Sequence, residues 1–269
     1  MKVYRHFLLF LLVLVDIAHA EVSDATLSDA HLAFENKDYV SAYQLFVSLQ
    51  DEQSGAACYY LGVMNQQGWG KIADPTAAAK FYQCAIDKGH VRAMHNLAGL
   101  YHRGTGINQD LTAARELYVR AANQGGIKAA HRLGLIYFQG DGVDRDFVSA
   151  KQWWEKAFSA GEADSGYNLG ILHKRGLGTA RSATTAQEIW LQAAKLGSPH
   201  AQNAYASALM NGEGTAPDPI SAYAWFRAAA AAGISVAQIN SELVWQGLPT
   251  DAQEQALRRA AEVQQILTK

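Results

Sequence analysis

The chain has 269 residues, of which 49% are hydrophobic and 18% are charged, and its formal net charge is −2. An apolar fraction of this size supports a folded protein with a substantial core. A nucleic-acid-binding protein needs a concentrated basic patch, but no run of Lys or Arg is longer than Arg258-Arg259, so we expect no nucleic-acid partner.

The first 20 residues have the pattern of a secretory signal peptide. Lys2 and Arg5 precede an unbroken apolar run, Phe7 to Val15, and Ala18-His19-Ala20 offers small residues at both positions that a signal peptidase recognises. The run of nine residues is much shorter than the roughly 18 residues that a membrane-spanning helix needs. We therefore expect cleavage after Ala20, a periplasmic or secreted protein, and no stable membrane insertion after cleavage.

Residues 21–54 are expected to form an N-terminal helical cap. Asp38 precedes Ala42, Leu45 and Phe46, whose spacing is that of a helix with one buried face. A short turn, Asn36-Lys37, comes directly before this helix.

Five repeats follow in residues 55–234, and they are marked by two ladders of glycine with a period of 36 residues. The first ladder opens a G-x-G pair in each repeat, at Gly68, Gly104, Gly140, Gly176 and Gly212. The second ladder closes each repeat, at Gly89, Gly125, Gly161, Gly197 and Gly233. The repeats run in register without an insertion.

Each repeat has the apolar spacing of two helices. In the first helix, Ala57, Leu61 and Met64 show the i, i+4, i+7 spacing of one buried face, and the spacing recurs in later repeats. We call one position in successive repeats a column. The second helix begins after a column of residues that cap helices well, Asp74, Asp110, Asp146, Ser182 and Asp218. Its apolar stripe includes an aromatic pair, and we expect Trp153 of repeat three to lie in the core.

A further column of the first helix contains only Gly or Ala: Gly62, Ala98, Gly134, Gly170 and Ala206. We expect two helix backbones to approach closely there. One helix pair cannot bury both of its faces, so the repeats must stack into a continuous core, as one domain. Residues 235–269 are expected to add C-terminal capping helices, the last capped by Thr250, running to about Leu267 and turning Ala256 and Leu257 towards the stack.

The segment Ala129 to Gly161 resembles the Sel1-like repeat, a relative of the tetratricopeptide repeat. Leucine-glycine, G-x-G, capping acid, aromatic pair and terminal glycine recur in this order through the five repeats, and residues 21–54 resemble a tetratricopeptide half-repeat. The resemblance implies an all-α, right-handed superhelical solenoid of αα-hairpins. It also implies a protein-protein interaction scaffold, adaptor or regulator of an envelope process.

Catalytic motifs are missing from the sequence. It contains no H-E-x-x-H, G-x-S-x-G or S-x-x-K, so we expect no enzyme and no cofactor. His95 and His131 share a column, but helices about 10 Å wide separate such positions too far for one zinc ion, so we expect no metal. The alternative function, a cell-wall or β-lactam hydrolase, is implied by resemblance to the cysteine-rich Sel1-like branch.

The two cysteines leave two alternatives open. Cys58 matches the first cysteine of that cysteine-rich branch, which pairs the two helices of a repeat, but the branch would place its second cysteine at Ile86 and not at Cys84. Two residues correspond to about 200° around a helix. Two independent thiols are therefore favoured over a Cys58–Cys84 disulfide.

Three columns of the first helix lie opposite the buried leucine, and we call them the first-helix face. They carry aromatic, histidine and aliphatic residues where an exposed face usually carries Glu, Lys and Gln. We predict an exposed groove for a protein or peptide partner there, with the alternative that the columns are buried between neighbouring first helices. The candidate partner-binding residues are Tyr59, His95, His131, Leu135, Phe138 and Tyr167.

Overall fold

The computed structural model describes residues 26–50 and 55–268, so the leader and its cleavage site lie outside the described residues. The described residues form fourteen α-helices and no strand, which confirms the all-α fold. The helices are α1 (Leu27–Glu35), α2 (Tyr39–Ser48), α3 (Gly55–Gln67), α4 (Pro75–Asp87), α5 (Val91–Arg103), α6 (Leu111–Asn123), α7 (Ile127–Gln139), α8 (Phe147–Ser159), α9 (Ala163–Arg175), α10 (Ala183–Lys195), α11 (Pro199–Asn211), α12 (Pro219–Ala231), α13 (Ser235–Gly247) and α14 (Thr250–Leu267).

The chain divides into two compact units, Met1–Gly126 and Ile127–Lys269, whereas the repeat pattern predicted one domain. In the first unit, α1 packs on α2, α3 on α4 and α5 on α6. In the second unit, α7 packs on α8, α9 on α10 and α11 on α12, and both α13 and α14 then pack on α12. Each unit is thus a stack of helix hairpins, in which a hairpin buries its apolar faces against its neighbours.

The predicted helix starts and ends are confirmed. The Asp74 carboxylate accepts a hydrogen bond from the Ala77 N–H at 2.9 Å, and the four equivalent residues cap α6, α8, α10 and α12 in the same way. Gly104 ends α5 with φ of 67°, in the left-handed region that glycine adopts without strain. The local sequence therefore fixes where the second helix of each repeat begins and where α5 ends.

The small-residue column lies close to an aromatic ring, so the expected backbone-to-backbone contact is wrong. A Cβ atom added to Gly134 would overlap the indole of Trp154, and one added to Gly170 would overlap that of Trp190. The Trp154 indole N–H also donates to the His131 carbonyl at 3.2 Å. The glycine column thus makes room for a ring from the second helix of the same repeat.

Two further expectations about the core are wrong. Trp154, and not Trp153, is the buried member of its aromatic pair, while Trp153 is half-exposed with the Lys156 ammonium over its ring. On α14, Ala256 is buried as expected but Leu257 is exposed. Adjacent residues point about 100° apart on a helix, and in each of these two pairs one member is turned away from the core.

Candidate protein-binding face

The first-helix face is less open than the sequence suggested. Its fifteen positions are half-buried, apart from Gly99, which is buried, and Met210, which is 42% exposed. The columns are thus neither as open as the predicted groove requires nor as covered as the alternative, burial between neighbouring first helices, requires. The role of these residues in binding a partner stays a prediction.

In the first unit, two candidate residues contact aromatic neighbours. The ring of Tyr59 stacks on His90, the residue that precedes α5, with 4.3 Å between the ring centroids. The ring of His95 meets Tyr118 of α6 edge-on at 5.4 Å. These contacts hold both side chains against their own unit and reduce the surface they offer to a partner.

In the second unit, His131 contacts the next repeat through its imidazole. Its Nδ1 lies 2.8 Å from the hydroxyl oxygen of Ser165, a fully buried residue in the first turn of α9. Burial lowers the pKa of His131, and the carboxylates of Glu162 and Asp164 oppose this effect. Repeat four therefore has serine where other repeats have alanine, and the hydroxyl serves as the partner of this imidazole.

The other three candidates pack on different parts of the second unit. Phe138 lies 5.4 Å from both Phe147 and Trp154, measured between ring centroids. Leu135 packs against the buried cluster that contains Trp154. The ring of Tyr167 lies 5.4 Å from that of His200 in the first turn of α11. The candidates thus contribute to packing and also reach the surface.

The open part of the face lies at its C-terminal end, which the sequence analysis missed. A cleft of about 590 Å³ separates α11 from α13, and we call it the C-terminal groove. Met210 of α11 and Leu243 of α13 line it, together with the buried Phe226 of α12. Its complete lining is Ser207, Met210, Asn211, Pro219, Phe226, Asn240, Leu243, Val244, Gly247, Leu248 and Pro249.

A signal for this end was present in the sequence. One further period after Asn203 and Ser207 leads to Ile239 and Leu243, although the glycine ladders stop at Gly233. Both side chains are exposed, at 57% and 62%. Extending the columns past the last complete repeat would have found them.

The two cysteines are joined in the structure. The Cys58 and Cys84 sulfur atoms are 2.06 Å apart and their Cα atoms 5.9 Å apart, so of the two alternatives the structure has the disulfide. The favoured alternative of separate thiols is wrong, because α4 packs closely enough on α3 to bring the two backbones within the distance that a disulfide requires. The bond ties together the two helices of the first repeat.

Neither a metal-binding cluster nor a membrane-spanning helix is present in the part of the chain that the structure describes. Within residues 26–50 and 55–268, no group of three or more His, Cys, Asp or Glu side chains has an arrangement that could hold a metal ion. No helix in this part of the chain is both long enough and apolar enough to span a bilayer.

Stacked helix hairpins of this kind define a helical repeat protein. The Sel1 repeat family model matches residues 55–90, 91–126, 127–162, 163–198 and 199–234, and the chain therefore belongs to the Sel1 repeat family. No curated protein matches the chain.

Solved structures agree with this fold. A Sel1 repeat protein from Oxalobacter formigenes is 25% identical, with a TM-score of 0.78 over 89% of this chain and 99% of that one. A protective antigen present in uropathogenic Escherichia coli strains, displaying an SLR fold, is 24% identical with a TM-score of 0.80 over 90% of this chain. This chain spans about half the length of that antigen, 54%.

Proposed function

We propose that this Sel1 repeat protein is exported and acts as an adaptor or regulator of an envelope process by binding a partner protein. A role in binding other proteins is expected from the family, because stacked helical repeats provide extended surfaces for protein partners.

The C-terminal groove is the observation that carries the proposal. Its open space of about 590 Å³ is bordered by apolar side chains and lies between helices that are held in place by the core. A groove between helices is a common receptor for the apolar side of a peptide or helix. Met210 suits such a site because its flexible thioether adapts to different partner shapes.

Two independent observations support export. The leader has the charged start, apolar run and small-residue ending of a signal peptide. The Cys58–Cys84 disulfide belongs to a class of bond that persists in oxidising compartments and is rare in the cytosol. Intact-mass measurement of protein from the periplasm should show Glu21 as the first residue and the two cysteines without free thiols. A chain that keeps Met1 would contradict export.

The binding role is tested by comparing variants of a tagged protein expressed in its native cells. Met210→Asp places a charge in the groove, whereas Val148→Asp places the same charge on α8, at a side chain that is 51% exposed outside the groove. Envelope proteins that co-purify with the wild type and with Val148→Asp should be lost with Met210→Asp.

The expected loss is at least about tenfold, because buried apolar anchors commonly contribute more than about 2 kcal/mol each. Circular dichroism should show the same helicity for all three proteins. Equal capture by Met210→Asp and by the wild type would eliminate the groove as the binding site.

A further inference from the structure

A second cleft lies on the opposite side of α13 from the C-terminal groove. Its volume of about 640 Å³ is within the usual range of small-molecule sites in proteins. We call it the α12–α13 pocket, and the side chains that matter for its chemistry are Tyr223, Arg227, Gln238, Glu242 and Trp245. It shares no lining residue with the C-terminal groove, so the two sites are distinct.

An aromatic pair forms one part of the pocket. The short connection between α12 and α13, residues 232–234, makes these two helices run antiparallel. Tyr223 of α12 therefore lies opposite Trp245 of α13, with 5.1 Å between the ring centroids and 32° between the ring planes. Tyr223 is buried, whereas Trp245 is half-buried and offers an aromatic surface to a bound molecule.

One turn further along, a cation and an anion line the same pocket without pairing. Arg227 lies four residues after Tyr223 and Glu242 lies three residues before Trp245, so antiparallel packing places the two charges on opposite walls. Arg227 Nη1 donates to the Tyr223 hydroxyl at 3.1 Å, and the Glu242 carboxylate accepts from the Gln238 amide at 3.2 Å. Neither Arg227 nor Glu242 forms an ion pair with any residue that the structure describes.

The repeat pattern does not require these charges. One period before Arg227, Glu242 and Trp245, the chain has Leu191, Ala206 and Leu209, which are all apolar. Glu242 continues the small-residue column, which contains only Gly or Ala in the five repeats. In no repeat do the two positions equivalent to Arg227 and Glu242 carry opposite charges. The pair of charges is therefore a special feature of this end of the chain.

Each of the two charges keeps bonding capacity for a ligand. A guanidinium has five N–H donors, and the Tyr223 hydroxyl accepts from one of its nitrogens. A carboxylate has two oxygens, and the Gln238 amide donates to one of them. A ligand carboxylate can pair with Arg227 through two parallel hydrogen bonds, and a ligand ammonium can donate to Glu242. A ligand with a single charge would instead be repelled by one of the two walls.

We propose that the α12–α13 pocket binds a zwitterion, an amino acid or a short peptide with an aromatic or large apolar side chain. Its carboxylate lies on Arg227, its ammonium on Glu242 and its side chain on the Trp245 ring. Arg227 and Glu242 are the two charged side chains of the lining, so the pocket is neutral as a whole. This balance favours a ligand that is neutral as a whole and carries both charges.

An NMR titration of the purified protein, followed at the indole N–H signal of Trp245, tests the site with L-phenylalanine and glycyl-L-phenylalanine. At least one of these zwitterions should shift the signal with a dissociation constant below about 1 mM. The N-acetylated form of that probe lacks the ammonium and the amidated form lacks the carboxylate, so each should bind at least about fivefold more weakly. Which of the two zwitterions binds more tightly distinguishes a free amino acid from a peptide as the ligand.

Two variants assign each ligand charge to its partner. Arg227→Met keeps the apolar stem, and it should weaken the zwitterion at least about fivefold but leave the affinity for the amidated probe unchanged. Glu242→Gln should weaken the zwitterion similarly but leave the affinity for the N-acetylated probe unchanged. Arg175→Met on α9 and Glu188→Gln on α10 are matched controls at exposed positions outside the pocket, and they should bind as the wild type does.

Three results would each overturn the proposal. The first is a Trp245 signal that neither zwitterion shifts at about 10 mM, as expected if Arg227 and Glu242 pair with each other in solution. The second is an N-acetylated or amidated probe that binds as tightly as its zwitterion. The third is binding that is unchanged in both Arg227→Met and Glu242→Gln.

The zwitterion site does not rest on the proposed function, because Met210 lies outside the α12–α13 pocket and Arg227 lies outside the C-terminal groove. Met210→Asp should lose the captured envelope proteins and keep zwitterion binding. Arg227→Met should keep the captured proteins and lose zwitterion binding. The two variants therefore distinguish failure of either proposal.

Discussion

The hairpins α7/α8 and α9/α10 differ from the C-terminal helices α12 and α13 in how they use the same repeat pattern. In the hairpins, an indole from the second helix lies on a glycine of the first helix and donates to a first-helix carbonyl, as Trp190 does to Tyr167 at 3.0 Å. On α13, Ile239 and Leu243 continue the columns of the first helix but remain exposed. Residues at equivalent positions of the repeat pattern are therefore covered in the hairpins and exposed on α13.

This difference predicts where stability and binding reside. Buried atoms removed from the hairpins should lower the free energy of unfolding, because the neighbours cannot fill the space. Exposed atoms changed on α13 should affect association and leave folding nearly unchanged, since exposed substitutions usually alter stability by less than about 0.5 kcal/mol. Three measurements in the second unit test the buried side of this comparison.

The largest effect is expected for the indole on the glycine. Trp154→Ala should lower the free energy of unfolding by about 3 to 5 kcal/mol, because it empties a buried volume and removes the hydrogen bond to the His131 carbonyl. Trp153→Ala, the matched control one residue earlier, removes a half-exposed ring and should cost far less. Denaturant unfolding followed by circular dichroism measures both, and equal losses would mean that the two rings have been assigned to the wrong environments.

A smaller loss is expected when the glycine under the ring is enlarged. Gly134→Leu should lower the free energy of unfolding by about 1 to 3 kcal/mol, because even its Cβ overlaps the Trp154 indole and the ring has to move. Gly247→Leu is the control, since nothing lies within 4 Å of a Cβ at that helical glycine. Thermal melts should separate the two variants, and a Gly134→Leu protein as stable as the wild type would refute the close ring contact.

The smallest effect concerns the imidazole between repeats three and four. Burial lowers the pKa of His131 below its usual 6.5, so the unfolded chain takes up a proton at higher pH than the folded chain. The contribution of the His131 imidazole to the free energy of unfolding is therefore complete above pH 6.5 and is lost as the pH falls below that value.

Unfolding free energies measured from pH 7.5 downwards should fall less steeply for His131→Gln than for the wild type. Burial also lowers the pKa of His90 and His173, so the difference between the two proteins, and not the slope of either, isolates His131. Parallel pH profiles would contradict a buried, neutral imidazole in the folded protein.

Much of the fold could be predicted from single residues. The capping residues and the glycines act on the nearest backbone turn, so their effect is local, and Asp74, Asp110 and Gly104 lie where the spacing placed them. The candidate site was harder, because exposure depends on neighbours that are distant in sequence. Tyr59 and Tyr167 have the residue types of a binding surface, yet the starts of the next first helices cover them partly.

The sequence alone determined the repeat length, the helix ends and the membership of the small-residue column. Only the tertiary structure decided that an indole fills the space beside Gly134, that Cys84 comes within reach of Cys58, and that the first-helix face is open at α13. Periodicity records which residues share a face of one helix, since that depends on the 3.6-residue turn. What covers the face depends on how separate helices pack, and a one-dimensional pattern does not contain that information.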